Sequence, residues 1–139
     1  GVSINRLGLP VKETETVNEE DVISADMMEA IYSGLVPDIS FIRRHKRKLL
    51  EMAVQAGLLT LLTQCEAAYQ ESLTIANSLE TLILFDRLLP QSQTRQKVLR
   101  FIRTNLSEIS QHESWNVFVK QHQVLLEEIH KRNEQTWII

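Results

Sequence analysis

The sequence predicts an all-α fold, an array of helical hairpins, and three observations carry that prediction. Apolar residues recur at three- and four-residue spacing in one segment after another from residue 21 onward, the period of a helix that buries one face. Ser and Thr stand ahead of these stripes and Gly or Pro behind them, as helix caps and stops do. Only four Gly and three Pro occur in 139 residues, which leaves little material for long irregular connections.

Residues 1–20 form a lead-in. The stretch PVKETETVNEED carries five carboxylates in twelve residues and no helical stripe, so it reads as an exposed or poorly ordered segment; short strands around Val2 to Leu9 are compatible with it. A first helix starts behind Ser24 as N-cap, carries Met27, Met28 and Ile31 on one face, and stops at Gly34, with Pro37 enforcing a turn. A second runs from near Ser40 and presents Leu49, Leu50, Ala53 and Ala56, with Gly57 placed to close it. A third holds Leu58, Leu61, Leu62, Cys65 and Ala68 in one stripe. Thr74 then caps a fourth, Ile75 to Leu89, with Leu79, Leu82 and Ile83 inward, and Pro90 ends it. The fifth spans Ser92 to Asn105 and buries Val98, Phe101 and Ile102, while Leu106 and Ile109 extend its stripe across a break. A sixth opens at Ser114 with Trp115, Phe118 and Val119; a seventh, from about His122, carries Val124, Leu125, Ile129 and His130. No tandem repeat of fixed period runs through the chain.

Composition narrows the function classes. Apolar residues make up 43% and charged residues 24%, the mix of an ordinary globular domain. No apolar run approaches the roughly 20 residues of a membrane-spanning helix, and the start lacks the apolar core of a signal peptide. With one cysteine, Cys65, no internal disulfide can form, so an intracellular setting, nuclear or cytoplasmic, is expected. The net charge of −3 argues against nucleic acid as the main partner, since phosphate binding draws on an excess of Lys and Arg.

Four blocks, in order, resemble the BTB/POZ family. MMEAIYSG, Met27 to Gly34, is similar to the BTB helix that ends in an IYTG-like turn, and LLEMAVQAGLLTLLTQCE, Leu49 to Glu66, to the paired helices that follow it. SLTIANSLETLILFD, Ser72 to Asp86, looks like the opening of the helical extension behind the BTB domain in MATH–BTB adaptors of the speckle-type POZ kind. ESWNVFVKQHQVLLEEIHK, Glu113 to Lys131, resembles the closing segment of that extension. By this resemblance residues 21–71 are the C-terminal part of a BTB/POZ domain, 72–134 a BACK- or 3-box-like extension, and 135–139 a tail.

The resemblance implies a non-catalytic adaptor of a cullin-3 ubiquitin ligase. Its partners would be the N-terminal domain of cullin-3, a second copy of the chain, and a substrate protein held by a domain outside this sequence. It implies no cofactor and no metal. Tyr32, Leu35, Val36 and Asp38 are carried over as the cullin-facing residues. Val11 and Glu13 stand at the one match to the family's hydrophobic-x-Glu signature. Trp115, Phe118, Val124, Leu125 and Ile129 are candidates for core packing or self-association. The sequence departs from the family in lacking the strand-rich front half of a BTB domain. It also departs in a longer stretch from Leu35 to Lys48, which carries a basic run. A structural or transcription-linked helical dimeriser is the rival reading.

Other chemistry has little to rest on. A Cys–His nucleophile would need Cys65 beside His45, His112, His122 or His130 and open to solvent, yet Cys65 lies on an apolar stripe where cysteine is a small core residue. His122 and His130 share a helix face but sit roughly 12 Å apart at about 1.5 Å of rise per residue, too far to share an ion. No phosphate-cradling glycine loop can be written. The run Arg43, Arg44, His45, Lys46, Arg47, Lys48 places five of the fifteen Lys and Arg in six positions. A solvated helix face, an acidic partner or import receptor, and nucleic acid all remain open for it. The apolar end Trp137-Ile138-Ile139 would dock on the domain or act as a recognition peptide.

Overall fold

A computed structural model describes residues 22–138, with side chains described through Lys131. Among the described residues the chain is all-α, with nine helices and no strand. They are α1 (Ala25–Tyr32), α2 (Ile39–Arg44), α3 (Lys46–Ala56), α4 (Leu59–Glu71), α5 (Ser78–Leu88), α6 (Gln93–Thr104), α7 (Leu106–Ile109), α8 (Ser114–Gln121) and α9 (Gln123–Ile138). They fall into two compact units, one ending at Ala68 and the other beginning at Tyr69, so the division lies inside α4.

In the first unit each turn is set by a cap. Ser24 Oγ accepts the Met27 amide at 3.1 Å and starts α1. At its end the Gly34 amide donates to Ile31 O and the Leu35 amide to Ala30 O, both at 3.0 Å. This pattern needs the φ of +115° that Gly34 adopts. Asp38 then accepts the Phe41 amide at 2.9 Å and starts α2. The sequence predicts one helix from Ser40 to Ala56, whereas the structure breaks it at His45, whose φ of −116° and ψ of 28° leave the helical region. The break turns the His45 ring inward, onto Phe41 with ring centroids 4.5 Å apart. Gly57, at φ +68°, closes α3. Ile31, Ile42, Leu49, Leu50, Ala53, Leu61 and Cys65 are the most deeply buried residues of this unit, each at most 1% exposed. Ala56, expected on the apolar face, is exposed, and Met52 is buried instead.

The second unit is built on α5 and α6. The expected start of α5 at Ile75 moves to Ser78, because Thr74 and Asn77 bond each other first. The Thr74 amide donates to Asn77 Oδ1 at 2.8 Å and the Asn77 amide to Thr74 Oγ1 at 3.2 Å. Ser92 Oγ accepts the Arg95 amide at 3.1 Å and starts α6. α6 packs on both α5 and α9, and α8 packs on α5 and α9. Leu79, Leu82, Val98, Leu99, Ile102, Ile109, Phe118, Leu125 and Ile129 form one buried cluster, and full burial of such a side chain contributes about 1.5–3 kcal/mol. Trp115 packs against that cluster and stacks on Phe118, with centroids 5.8 Å apart. Val124 leaves the predicted stripe: it is 78% exposed, because Leu125 and Ile129, four apart, fix the inward face of α9 one position further on. α9 runs on through Ile138 without a break at 134.

Candidate partner-docking surface

The glycine turn that ends α1 leaves Leu35 and Val36 in the connection to α2. Gly57 ends α3 and brings Leu58 and Leu59 to the start of α4. These two connections line a groove of about 210 Å³ with Ile31, Gly34, Leu35, Val36, Leu58, Leu59, Thr60 and Leu61. Leu35 is 46% exposed, Val36 39% and Leu59 72%. Tyr32, at the end of α1, and Ile39, at the start of α2, are also exposed. Isolated surface apolar residues are ordinary, but a cluster lining a groove marks a place where another surface docks.

Of the residues expected to face a partner, Leu35 and Val36 line the groove and Tyr32 is exposed. Asp38 is exposed too, with its carboxylate engaged in capping α2. Val11 and Glu13 lie outside the described residues, as do the expected strand segments of the lead-in. Sequence reasoning missed Leu59. Its signal was there: it is an apolar residue one step off the stripe of Leu58, Leu61 and Leu62, and a residue off the stripe does not pack with it.

The second unit holds a charged clamp that no motif pointed to. Arg95, 7% exposed, donates from both terminal nitrogens to Glu128, at 2.9 Å to Oε2 and 2.6 Å to Oε1. Its Nε and Nη2 donate to Asp86 Oδ1 at 3.1 Å and 2.9 Å. The hydrogen bonds from Arg95 hold the Glu128 carboxyl below its ordinary range, against the opposing effect of partial burial. Two turns on, Arg103 donates to the carbonyls of Ile129 and Glu128 at 3.0 Å and 2.8 Å. Arginines eight apart on α6 therefore grip one stretch of α9. The adjoining recess of about 280 Å³ includes His122 and Gln121. The guanidinium of Arg95 faces its two carboxylates there, an arrangement that fixes helices in place.

A further groove of about 370 Å³ lies along α6, with Leu73, Val98 and Phe101 as its apolar lining and Lys97 and Arg100 also in its wall. In the basic run, Arg43, Arg44, Arg47 and Lys48 are exposed, Lys46 is half-buried and His45 is 6% exposed. Cys65 is fully buried, and burial, with Glu66 nearby, pushes its thiol up to about 12. At neutral pH it therefore holds no thiolate to act as nucleophile. Among the described residues no three of His, Cys, Asp and Glu gather around a point where an ion would sit. No described helix is long and apolar enough to cross a membrane.

Comparison with known proteins finds POZ-domain relatives. The chain is 34% identical over 105 residues to TD and POZ domain-containing protein 4 of Mus musculus, covering 74% of this chain and 27% of that one. It is 31% identical over 117 residues to TD and POZ domain-containing protein 5 of the same organism, covering 84% and 33%. It is also 31% identical over 105 residues to the mouse TD and POZ domain-containing protein 1-like, covering 74% and 28%. The chain thus spans a third or less of the length of these relatives. No protein-family model matches the chain, and no solved structure matches it significantly.

Proposed function

From this relationship to POZ-domain proteins, we propose that the chain is a non-catalytic protein-interaction module, and that it serves as an adaptor of a cullin-3 ubiquitin ligase. The observation that carries the reading is the open apolar groove between the end of α1 and the start of α4, with Leu35, Val36 and Leu59 exposed along it. An apolar segment of cullin-3 laid there would remove these side chains from water, a gain of about 25 cal/mol per Å² of apolar surface covered. The groove along α6, lined by Leu73, Val98 and Phe101, offers apolar surface of the same kind. A substrate protein would be held by a domain outside this sequence, and the adaptor would act by raising the substrate's effective concentration beside the ligase. This assigns the subfamily of MATH–BTB adaptors, with its BACK-like extension over 72–134, as part of the same proposal. An intracellular setting, nuclear or cytoplasmic, goes with it.

The test is isothermal titration of the chain against the N-terminal domain of cullin-3, with sedimentation to fix the chain's own oligomeric state. Saturable binding at micromolar affinity or tighter, weakened at least tenfold by Tyr32→Ala or Leu59→Glu, is the expected result. The same exposed patch also favours a second reading, in which two copies cover it by self-association. A folded, self-associated chain that gives no heat with cullin-3 would assign the face to that dimer and remove the ligase role.

A further inference from the structure

We propose that the basic face formed by the end of α2 and the start of α3 is a separate docking site, one that takes an acidic segment of a partner polypeptide. The inference does not rest on the cullin reading. Between residues 22 and 68 the only Lys and Arg are Arg43, Arg44, Lys46, Arg47 and Lys48, and the carboxylates of that stretch are Asp26, Glu29, Asp38, Glu51 and Glu66. Over these residues the cations equal the carboxylates in number and are confined to six successive positions. Arg44, Arg47 and Lys48 are exposed, and the pair Arg47 forms with Glu51, one turn along, is long at 3.8 Å. Such a pair is easily exchanged for another carboxylate.

The start of α3 adds a second, independent feature. Its first turn is Lys46, Arg47 and Lys48, it has no acidic residue there, and its N-cap, His45, makes no side-chain cap. Cations at a helix N-terminus meet the positive end of the helix dipole, which is unfavourable. α1 follows the opposite rule, with a Ser24 cap and Asp26 in its first turn, and Asp38 caps α2. A sequence shaped for helix stability alone would place carboxylates at the start of α3, and carboxylates from a partner would supply them.

Two other occupants fit less well. A receptor that reads basic runs as extended peptide cannot take this one as it stands, because the run is folded into two helices with His45 buried against Phe41. Nucleic acid would draw on aromatic rings beside the cations for stacking. Phe41, on the same helix as Arg43 and Arg44, is half-buried and already paired with His45.

The test uses the full chain and a fluorescein-labelled octaglutamate peptide, read by anisotropy. An octaglutamine peptide and a short DNA duplex are measured at the same ionic strength. Saturable binding of octaglutamate, absent for octaglutamine, should weaken at least tenfold in Arg44→Glu/Arg47→Glu/Lys48→Glu. That variant should keep its helical circular dichroism, since the carboxylates at 47 and 48 suit the start of α3 and offset the one at 44, which ends α2. Should it fail to fold, Arg44→Gln/Lys48→Gln is expected to weaken binding at least threefold. Arg87→Glu/Lys120→Glu/Lys131→Glu changes the net charge equally at three other exposed cations, and it should leave affinity within twofold. Equal loss in this control, no loss in the basic-run variants, or tighter binding of the duplex than of the peptide would each overturn the proposal.

Discussion

Residues 69–138 and residues 22–68 use the same kinds of side chain to different ends. In the second unit nine apolar residues close into one cluster, and Arg95 and Arg103 tie α9 to α6 around it. In the first, Val22, Tyr32, Leu35, Val36, Ile39 and Leu59 stay exposed, six of the eight large apolar side chains that do so among the described residues. Its cations are confined to one short stretch as well. The second unit turns most of its large apolar side chains into one core, and the first leaves more of them, with a run of cations, where another molecule can cover them. Interaction surfaces on a scaffold follow that pattern, with the rigid part supplying position and the open part supplying contact.

The sharpest way to break this comparison is to truncate one leucine in each unit. Leu82 is fully buried within the cluster, so Leu82→Ala should lower stability by about 2–5 kcal/mol in urea titration. Leu59→Ala should change it by no more than about 0.5 kcal/mol. Equal losses would mean that Leu59 belongs to a core. A smaller effect is expected at the clamp. Arg95→Met should cost about 1–3 kcal/mol, because Asp86 and Glu128 keep roughly two-fifths and one-third of their side-chain surface in water and can be rehydrated. A loss of under half a kcal/mol would show that α9 is held by its apolar face alone.

The smallest effect is a dependence on pH. The folded-state value of Glu128 is depressed, so its contribution is present above the unfolded value of about 4.3 and fades as pH falls through the folded one. Stability of the parent should therefore drop on acidification below about pH 4.3 more steeply than that of Glu128→Gln, by a modest margin that added salt narrows. Parallel pH profiles would remove Glu128 from the account.

Much of this fold was legible in the sequence because its signals are local. Ser24 caps where its position predicts, α6 begins beside Ser92 as expected, Gly34 and Gly57 close their helices, and the stripes around Leu82, Val98, Ile102 and Ile129 mark the core. What failed to show is what distance creates. Nothing near His45 announces a break, since neither Gly nor Pro is there; the burial of its ring against Phe41 accompanies it. Arg95 reads as an exposed cation by default, and its partners lie nine residues back and thirty-three ahead. Val124, Leu125 and Ile129 all fit the predicted stripe, and only the packing of Leu125 and Ile129 settles the phase of α9. The candidate groove was half visible. The resemblance gave Leu35 and Val36, whereas Leu59 comes from a connection on the far side of α3 that only folding brings to them.

The most direct test of the central claim is one variant measured twice, Leu59→Glu, for its urea midpoint and for its affinity toward the N-terminal domain of cullin-3. The expected result is an unchanged midpoint with affinity reduced at least tenfold. An unchanged affinity, or a collapse of the midpoint, would contradict the assignment of this apolar face to a partner.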